Sequence, residues 1–411
     1  MKVIWTLFLS SFVLSAGPTL IEQRIAASRQ SIEKNKKDVN AYNDLALALV
    51  RRARETANNQ RCVDAEVPVA ESLKIAPSGF DGRRARVAVW LCEKRWADAL
   101  EEATALHNQV MDDVPTWGYI ADAQTALGNY EEAAKAVQWM INMRQASPQA
   151  LQRAATVREA YGMNEPALDW LTSALHLTSG SDAEERAWLL TRIARLNRII
   201  GRANAAEDAL KEALTLVPDY PWALTERGLN LVAQKKYNEA VEVFGNRQRV
   251  APDVAGLYDL ALALSNEDKS DEAQRTFLEF EKAALPLTTK ADNANLQLIA
   301  YYSGPGKKPA EAVRIAQDML ARRHDLDTLA ACAEALAAQG EWKSAAEQMQ
   351  RALKYGARNP AWLVEAGRIA RKTGDEAMAR KFFQQAMEAS PSSSISEEVM
   401  QELTHTSASS L

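Results

Sequence analysis

Small and apolar positions recur along this chain with a period of about 34 residues, the length of one helix–turn–helix repeat. The marker of each period is an alanine, and intervals of 33, 34 or 39 residues separate successive markers. The pattern predicts about ten helix pairs, whose members we name helix A and helix B. The marker alanines are Ala65, Ala99, Ala133, Ala167, Ala206, Ala240, Ala273, Ala312, Ala345 and Ala379.

Residues at fixed distances from the marker support the same interpretation. Twelve positions before it lies a small residue, such as Gly228, which lets helix A approach its neighbour closely. Five positions before it, five periods carry a glycine, which ends a helix because it takes the left-handed conformation without steric cost. The alternative is an ordinary alanine-rich helical bundle, but such a bundle gives no reason for five glycines at the same position of a 34-residue repeat. These glycines are Gly128, Gly162, Gly201, Gly340 and Gly374.

Three segments depart from the regular spacing. In the first period the marker Ala65 comes late, so residues 53–61 are expected to form an extended turn. Two intervals are 39 residues long, which is about five more than the typical repeat, and the extra residues fall near 178–184 and 286–292. We interpret both insertions as longer turns between repeats, with hinges or domain boundaries as the alternative.

From residue 38 to residue 391 the chain resembles the tetratricopeptide-repeat family, most clearly over 201–218 and 374–391. The stretch 41–54 and the pair Tyr301 and Tyr302 resemble a group of exported bacterial members without an assigned activity. The resemblance implies an all-α, right-handed superhelical solenoid of about ten repeats. It also implies a concave groove that binds peptides or partner proteins.

The two ends of the chain predict an exported protein with capped termini. Residues 1–16 combine a positive start, an apolar run and a small-residue cleavage site after Ala16, which is typical of a secretory signal peptide. The apolar run is too short to span a bilayer, which needs about 20 residues. A buried N-terminal helix is the alternative. We expect an N-terminal capping helix over 17–37, and a C-terminal capping helix with a disordered tail over 392–411.

Composition and motifs narrow the possible chemistry. The net charge is −5 and the basic residues are scattered, so nucleic acid is not an expected partner. The four histidines form no metal-binding pair, and no phosphate-binding loop or nucleophile motif occurs. We therefore expect no metal, no cofactor and no catalytic residue. The mature chain is expected to lack a transmembrane segment.

Side chains at the groove phase of helix A are the candidate partner-binding residues. Tryptophan, tyrosine and arginine dominate binding energy at many interfaces. The aromatic members have an alternative role as packing between repeats, whereas the arginines are expected at an exposed groove or rim. The candidates are Trp188, Arg195, Arg198, Trp222, Tyr258 and Tyr301.

Cys62 and Cys92 are candidates for a disulfide bridge. Cys62 lies near the start of the first helix B, and Cys92 lies at the end of the next helix A. Antiparallel packing would bring these two ends together, and export would let a bridge persist. Two unbridged core cysteines are the alternative. Cys332 falls on a helix-A core face and is expected to be a buried thiol.

These observations predict an exported, non-enzymatic scaffold that binds a protein or peptide partner in its concave groove. An accessory subunit of an envelope or secreted enzyme complex is the alternative. An enzyme in its own right is the least favoured class, because no residues are available to carry a reaction.

Overall fold

The computed structural model describes residues 19–144, 147–289, 294–391 and 393–408. Within these residues, the chain forms α-helices and one short 3-10 helix, Leu285–Leu287, and no strand. The predicted signal peptide, 1–16, lies outside the described residues. The helices are α1 (Leu20–Lys34), α2 (Val39–Thr56), α3 (Gln60–Asp64), α4 (Glu66–Ile75), α5 (Phe80–Cys92), α6 (Trp96–His107), α7 (Val114–Leu127), α8 (Tyr130–Met143), α9 (Pro148–Ala160), α10 (Asn164–Leu177), α11 (Ala183–Ile199), α12 (Ala203–Leu216), α13 (Pro221–Ala233), α14 (Tyr237–Val250), α15 (Val254–Asn266), α16 (Ser270–Ala284), α17 (Asn295–Ser303), α18 (Pro309–Leu320), α19 (Leu326–Gln339), α20 (Trp342–Ala352), α21 (Pro360–Lys372), α22 (Glu376–Ala389) and α23 (Ser394–Ala408).

The helices form ten antiparallel pairs, which confirms the predicted all-α solenoid. The first pair is α2 with α4, and the extra helix α3 lies between them; the remaining pairs run from α5 with α6 to α21 with α22. Helix α1 packs on the first pair through Ile32 and Leu45, and α23 packs on the last pair through Val399 and Phe383. Residues 409–411, part of the predicted tail, lie outside the described residues.

The marker alanines explain how the pairs stack. All ten are buried, and nine of them are fully inaccessible. A methyl side chain at this position lets helix B lie against the next helix A. Larger apolar residues fill the remaining space, and Phe244 and Phe383 are nearly inaccessible. The core is therefore a continuous set of nearest-neighbour contacts, as the stacking of repeats requires.

The turn between the two helices of a pair keeps one backbone geometry in nine of the ten repeats. The residue five positions before the marker has positive φ in each of them. It is glycine in five repeats, as predicted, and lysine or aspartate in the other four. The turn therefore persists where its glycine has been replaced. The non-glycine residues are Lys94, Lys235, Asp268 and Lys307.

The first repeat corrects one expectation. The extended turn expected over 53–61 is not seen, because α2 continues as a helix to Thr56. The chain then reverses through Ala57, which has a left-handed backbone, and begins α3 at Gln60. The additional residues of this repeat therefore form a short helix instead of an open loop.

Successive turns of the superhelix touch each other along two seams. In the first seam, the end of α2 lies against the starts of α11 and α13, with contacts between residues 130 and 168 positions apart. The Arg54 guanidinium donates to Glu184 from Nε (3.0 Å) and Nη2 (2.7 Å), and Nη2 also donates to Glu185 at 2.5 Å. Arg51 binds the same two carboxylates and Asp182. The insertion near 178–184 thus supplies the acidic side of this seam.

In the second seam, the corners that follow α7 and α9 lie against the loops that precede α19 and α21. The amide of His324 donates to the Leu127 carbonyl, and the amide of Leu326 donates to the Tyr130 hydroxyl, both at 3.1 Å. The Tyr355 ring lies between Tyr130 and Tyr161, edge-on to both. These contacts join residues almost 200 positions apart and hold the coil closed.

Gly228 gives a direct test of the close approach between α13 and α14. A Cβ at this position would lie 2.4 Å from the Phe244 ring, so Gly228→Leu should overpack the pair, which typically costs about 1–3 kcal/mol. We expect a lower melting temperature by circular dichroism. Gly245→Leu is the matched control, since nothing lies within 4 Å of its added Cβ. Equal melting temperatures for the two variants would contradict the packing described.

Candidate partner-binding lumen

The helix-A side chains of the closed coil surround an inner space, which we call the lumen. Two cavities open on it. The seam cavity, about 300 Å³, lies between α9, α11, α19 and α21 and is lined by residues such as Glu159, Arg195 and Asp327. The terminal cavity, about 640 Å³, lies between α17, α19, α21 and α23. The cavities give the lumen room for a bound group.

The two predicted tryptophan anchors lie in the first seam. The Trp222 indole N–H donates to the backbone carbonyl of Arg54 at 2.7 Å. Trp188 meets Trp222 edge-on, with ring centroids 6.0 Å apart, and lies under the Arg54 guanidinium at 5.4 Å. Both rings are half-buried and hold two turns of this chain together. Their packing is intramolecular, although it differs from the inter-repeat packing that the sequence offered as the alternative.

The two predicted arginines face the lumen but are already paired. Arg195 forms a very short ion pair with Glu159, which also binds Arg192 at 3.0 Å. Arg198 binds Glu226 at 2.9 Å. The attraction of Glu159 raises the pKa of Arg195 above its usual value, against the effect of burial. We call this part of the lumen, together with Arg153 paired to Asp122, the arginine-rich half.

The two predicted tyrosines pack between repeats. Tyr301 is only 8% exposed and contacts Phe277, with ring centroids 5.0 Å apart, and Phe280. Tyr258 lies against the same two phenylalanine rings. This is the alternative that the sequence left open for the aromatic candidates. Tyr301 is therefore corrected from a groove residue to a core residue, because its ring fills the space between two helix pairs.

Helices α15, α19 and α21 bring four further carboxylates to the lumen, and we call this part the carboxylate-rich half, although its Asp327 also lines the seam cavity with Arg195. Within the described residues, no cation lies within ion-pair distance of Asp259, Asp327 or Glu334. Glu365 meets Arg368 only at 3.8 Å. These carboxylates belong to Asp259, Asp327, Glu334 and Glu365.

Enclosure by the surrounding helices changes the acidity of these groups. Burial, together with the nearby charges of Glu365 and Asp327, raises the pKa of Glu334 to about 7. Burial and the nearby charge of Asp253 likewise raise the pKa of Asp259 to about 7, although Arg247 and Arg198 act to lower it. The pKa values of Asp327 and Glu365 are raised mainly by burial. A carboxylate in such surroundings is stabilised by a cation or by a proton.

The sequence contained a signal for these residues. Arg195 immediately follows the small residue Ala194 of its helix A, and Glu334 immediately follows Ala333 in the same way. Asp259 and Glu365 each lie two positions before the small residue of their own helix. These carboxylates therefore occupy groove-facing positions of helix A in the later repeats, and the sequence alone indicates those positions. They are neither aromatic nor arginine, so they fall outside the residue types that dominate binding energy at many interfaces.

The predicted cysteine pair has bridging geometry. The α-carbons of Cys62 and Cys92 lie 5.5 Å apart and the two sulfurs are bonded, which links α3 to the end of α5. Cys332 is a buried free thiol, and burial raises its pKa to about 11. Such a thiol is poorly reactive, since the thiolate is the nucleophile.

Two further features bear on the expected chemistry. In the ranges that the structure describes, no group of three or more histidine, cysteine, aspartate or glutamate side chains is arranged to hold a metal ion. Among the same residues, no helix combines the length and apolar character needed to cross a bilayer.

Comparison with known proteins assigns the class. A family model described as tetratricopeptide repeat matches residues 231–404, and the helix pairs before them repeat the same architecture. Residues 231–404 are therefore tetratricopeptide repeats by sequence, and the earlier helix pairs share their helix–turn–helix architecture. No protein with a curated description matches it in sequence.

Solved structures share its fold at low sequence identity. A human IFIT1 dimer with PPP-AAAA is 12% identical, with 88% of this chain and 86% of that chain covered and a TM-score of 0.51. A monomeric IFIT1 mutant with Gppp-AAAA is 12% identical, with 89% and 94% covered and a TM-score of 0.50. Yeast Tom70 is 12% identical, with 93% and 91% covered and a TM-score of 0.43. The IFIT1 similarities support the helical-repeat fold alone.

Proposed function

We propose that this chain is an exported, non-enzymatic tetratricopeptide-repeat scaffold that binds a protein or peptide partner inside its lumen. The observation that carries the proposal is in the carboxylate-rich half, where Glu334, without an ion-pair partner in the described chain, and Glu365, 3.8 Å from Arg368, border a cavity of about 640 Å³. Desolvating a charge without a partner is unfavourable for folding alone, so binding is the better explanation.

Two features support export. The N-terminal segment has the composition of a cleaved signal peptide, and a Cys62–Cys92 bridge persists in an oxidising compartment. We expect the mature protein, expressed from its full-length gene, to begin at Gly17. N-terminal sequencing of the exported fraction checks this.

A polypeptide suits the lumen better than a nucleic acid. Phosphate groups would be repelled by the carboxylate-rich half, and the cations of the arginine-rich half are already paired with Glu159, Glu226 and Asp122. The arrangement offers no nucleophile with an adjacent base, so we propose no reaction and no cofactor for it.

Blocking the lumen should abolish partner capture. Ala338 is exposed on the wall of the terminal cavity, so Ala338→Trp fills space that a partner would use. Ala205→Trp, on the exposed face of α12, is the matched control. We expect tagged wild-type and Ala205→Trp protein to co-purify the same partner from the exported fraction, and Ala338→Trp to lose it without a change in melting temperature.

The identity of the captured material distinguishes the two candidate roles. A single stoichiometric partner indicates an accessory subunit of a larger assembly, whereas a varied set of peptides indicates a general scaffold. Retention of the partner by Ala338→Trp would place binding outside the terminal cavity and contradict the proposal.

A further inference from the structure

The terminal cavity is lined by three carboxylates and three cations, but Glu334 on its wall has no ion-pair partner in the described chain. Its arginines are engaged elsewhere: Arg368 binds Glu398 at 2.6 Å and Glu402 at 2.8 Å, and Arg371 also binds Glu402 at 2.8 Å. Lys372 lies over the Trp342 ring at 5.7 Å. Within the described residues, Glu334 on the acidic wall therefore has no cation at ion-pair distance, and Glu365 meets Arg368 only at 3.8 Å.

A second unsatisfied group lines the same cavity. The Ser303 hydroxyl oxygen, at the end of α17, is buried and has no hydrogen-bond partner. A buried hydroxyl without a partner is unfavourable unless a ligand or water supplies one. A peptide carbonyl is one acceptor that would satisfy the hydrogen-bond donor of this hydroxyl.

We propose that the terminal cavity binds a lysine or arginine side chain of a polypeptide partner, with the cationic head group against Glu334 and Glu365. The inference rests on the proposed function, since it names the chemistry of the partner bound in the lumen. Ser303, on the same cavity wall, donates to the peptide backbone. The partner is thus a basic segment.

Size and charge both favour this occupant. Small side chains, including Ala300, Ala337 and Ala338, line the cavity and leave it open for a long, flexible side chain. Glu334 and Glu365 come from adjacent helix-A segments, α19 and α21, so one head group can contact both. Pairing removes the repulsion between these two carboxylates at the same time as it replaces their lost hydration.

The test uses the full mature chain and a fluorescein-labelled octalysine peptide at about 0.15 M salt, where weak surface attraction is screened. We expect Glu334→Gln with Glu365→Gln to weaken binding at least about tenfold, as loss of close charge pairs does at other interfaces. Glu347→Gln, on the exposed face of α20, is the matched control and should leave binding unchanged. Labelled octaglutamate should not bind.

The pH dependence provides a second readout. Since the pKa of Glu334 is raised to about 7, octalysine should bind more tightly at pH 8 than at pH 6. The other charged groups facing it are Glu365, Asp327 and Glu402, with Arg368, Arg371 and Lys372. The rise in affinity should disappear when Glu334 and Glu365 are both glutamine.

Two results would overturn the inference: equal octalysine affinity for the wild type and the double glutamine variant, or equal weakening by Glu347→Gln, which indicates adsorption to the outer surface. Suppose that the double glutamine variant binds octalysine as tightly as the wild type while Ala338→Trp still abolishes partner capture. The inference of a basic partner is then wrong, and the proposed lumen function stands.

Discussion

Replacing Arg54 by methionine should destabilise the protein by about 3–5 kcal/mol, the typical loss when one partner of a buried ion pair is removed. Glu184 and Glu185 are only 6% and 8% exposed, and Arg54 contacts both. Arg51 also binds both carboxylates, which places the expected loss near the lower end of this range. Thermal unfolding followed by circular dichroism measures the change.

An exposed ion pair provides the matched control for this variant. Arg24 binds Asp44 with both side chains more than half exposed, so Arg24→Met should change stability by no more than about 1 kcal/mol. If the two variants unfold at the same temperature, the first seam does not stabilise the coil. Small-angle scattering should also show a larger radius of gyration for Arg54→Met only, because the seam joins two turns.

Acid should remove the difference between Arg54→Met and the wild type. Burial opposes ionisation of Glu185, but Arg54 and Arg51 lower its pKa below the usual value. A carboxylate with a lowered pKa in the folded state stabilises the protein above its unfolded pKa, and this contribution is lost as the pH falls through the folded value. The melting temperatures of wild type and variant should therefore converge below about pH 4.

The repeats were predictable because each depends on contacts between residues close in sequence. Helix length, the buried marker alanine and the left-handed turn all fall within one period of about 34 residues. Lys235 and Asp268 show the limit of the glycine rule, since both adopt the left-handed turn without glycine. The period itself, more than any one residue, located these turns.

The seams were not predictable from local pattern. They join residues from about 130 to almost 200 positions apart, and their positions depend on small rotations that accumulate from repeat to repeat. Trp222 has the residue type and phase of a groove anchor, but the next turn of the coil reaches it first and occupies its indole N–H. Its intramolecular role follows from the contact between successive turns of the superhelix, which the sequence does not reveal.

The lumen was predictable in part, unlike the repeats, which local pattern predicted, and the seams, which it did not. Helix phase correctly placed Arg195 and Arg198 on the inner face, but it could not reveal that Glu159 and Glu226 neutralise them. The same helix phase places Glu334 on the inner face, but its proposed role depends on the absence of an ion-pair partner in the described residues. Local periodicity therefore identifies which side chains face the lumen, and only the packed structure identifies which of them lack partners.

Reducing the Cys62–Cys92 bridge should destabilise the protein by roughly 3–4 kcal/mol, the loop entropy expected for a closed segment of this length. The two cysteines are 30 residues apart, and the bridge ties α3 to α5. Reductant should lower the melting temperature of the wild type to that of the Cys62→Ser, Cys92→Ser variant. The variant itself should not respond to reductant.

Thiol counting tests the bridge without relying on stability. Denatured, unreduced protein from the exported fraction should give one free thiol, from Cys332, whereas three free thiols would exclude the bridge. Trypsin offers a local readout at Arg61, which is exposed within α3. Cleavage after Arg61 should accelerate on reduction, because α3 is only five residues long and the bridge fixes it to its neighbour. Equal cleavage rates before and after reduction would mean that packing alone holds this short helix.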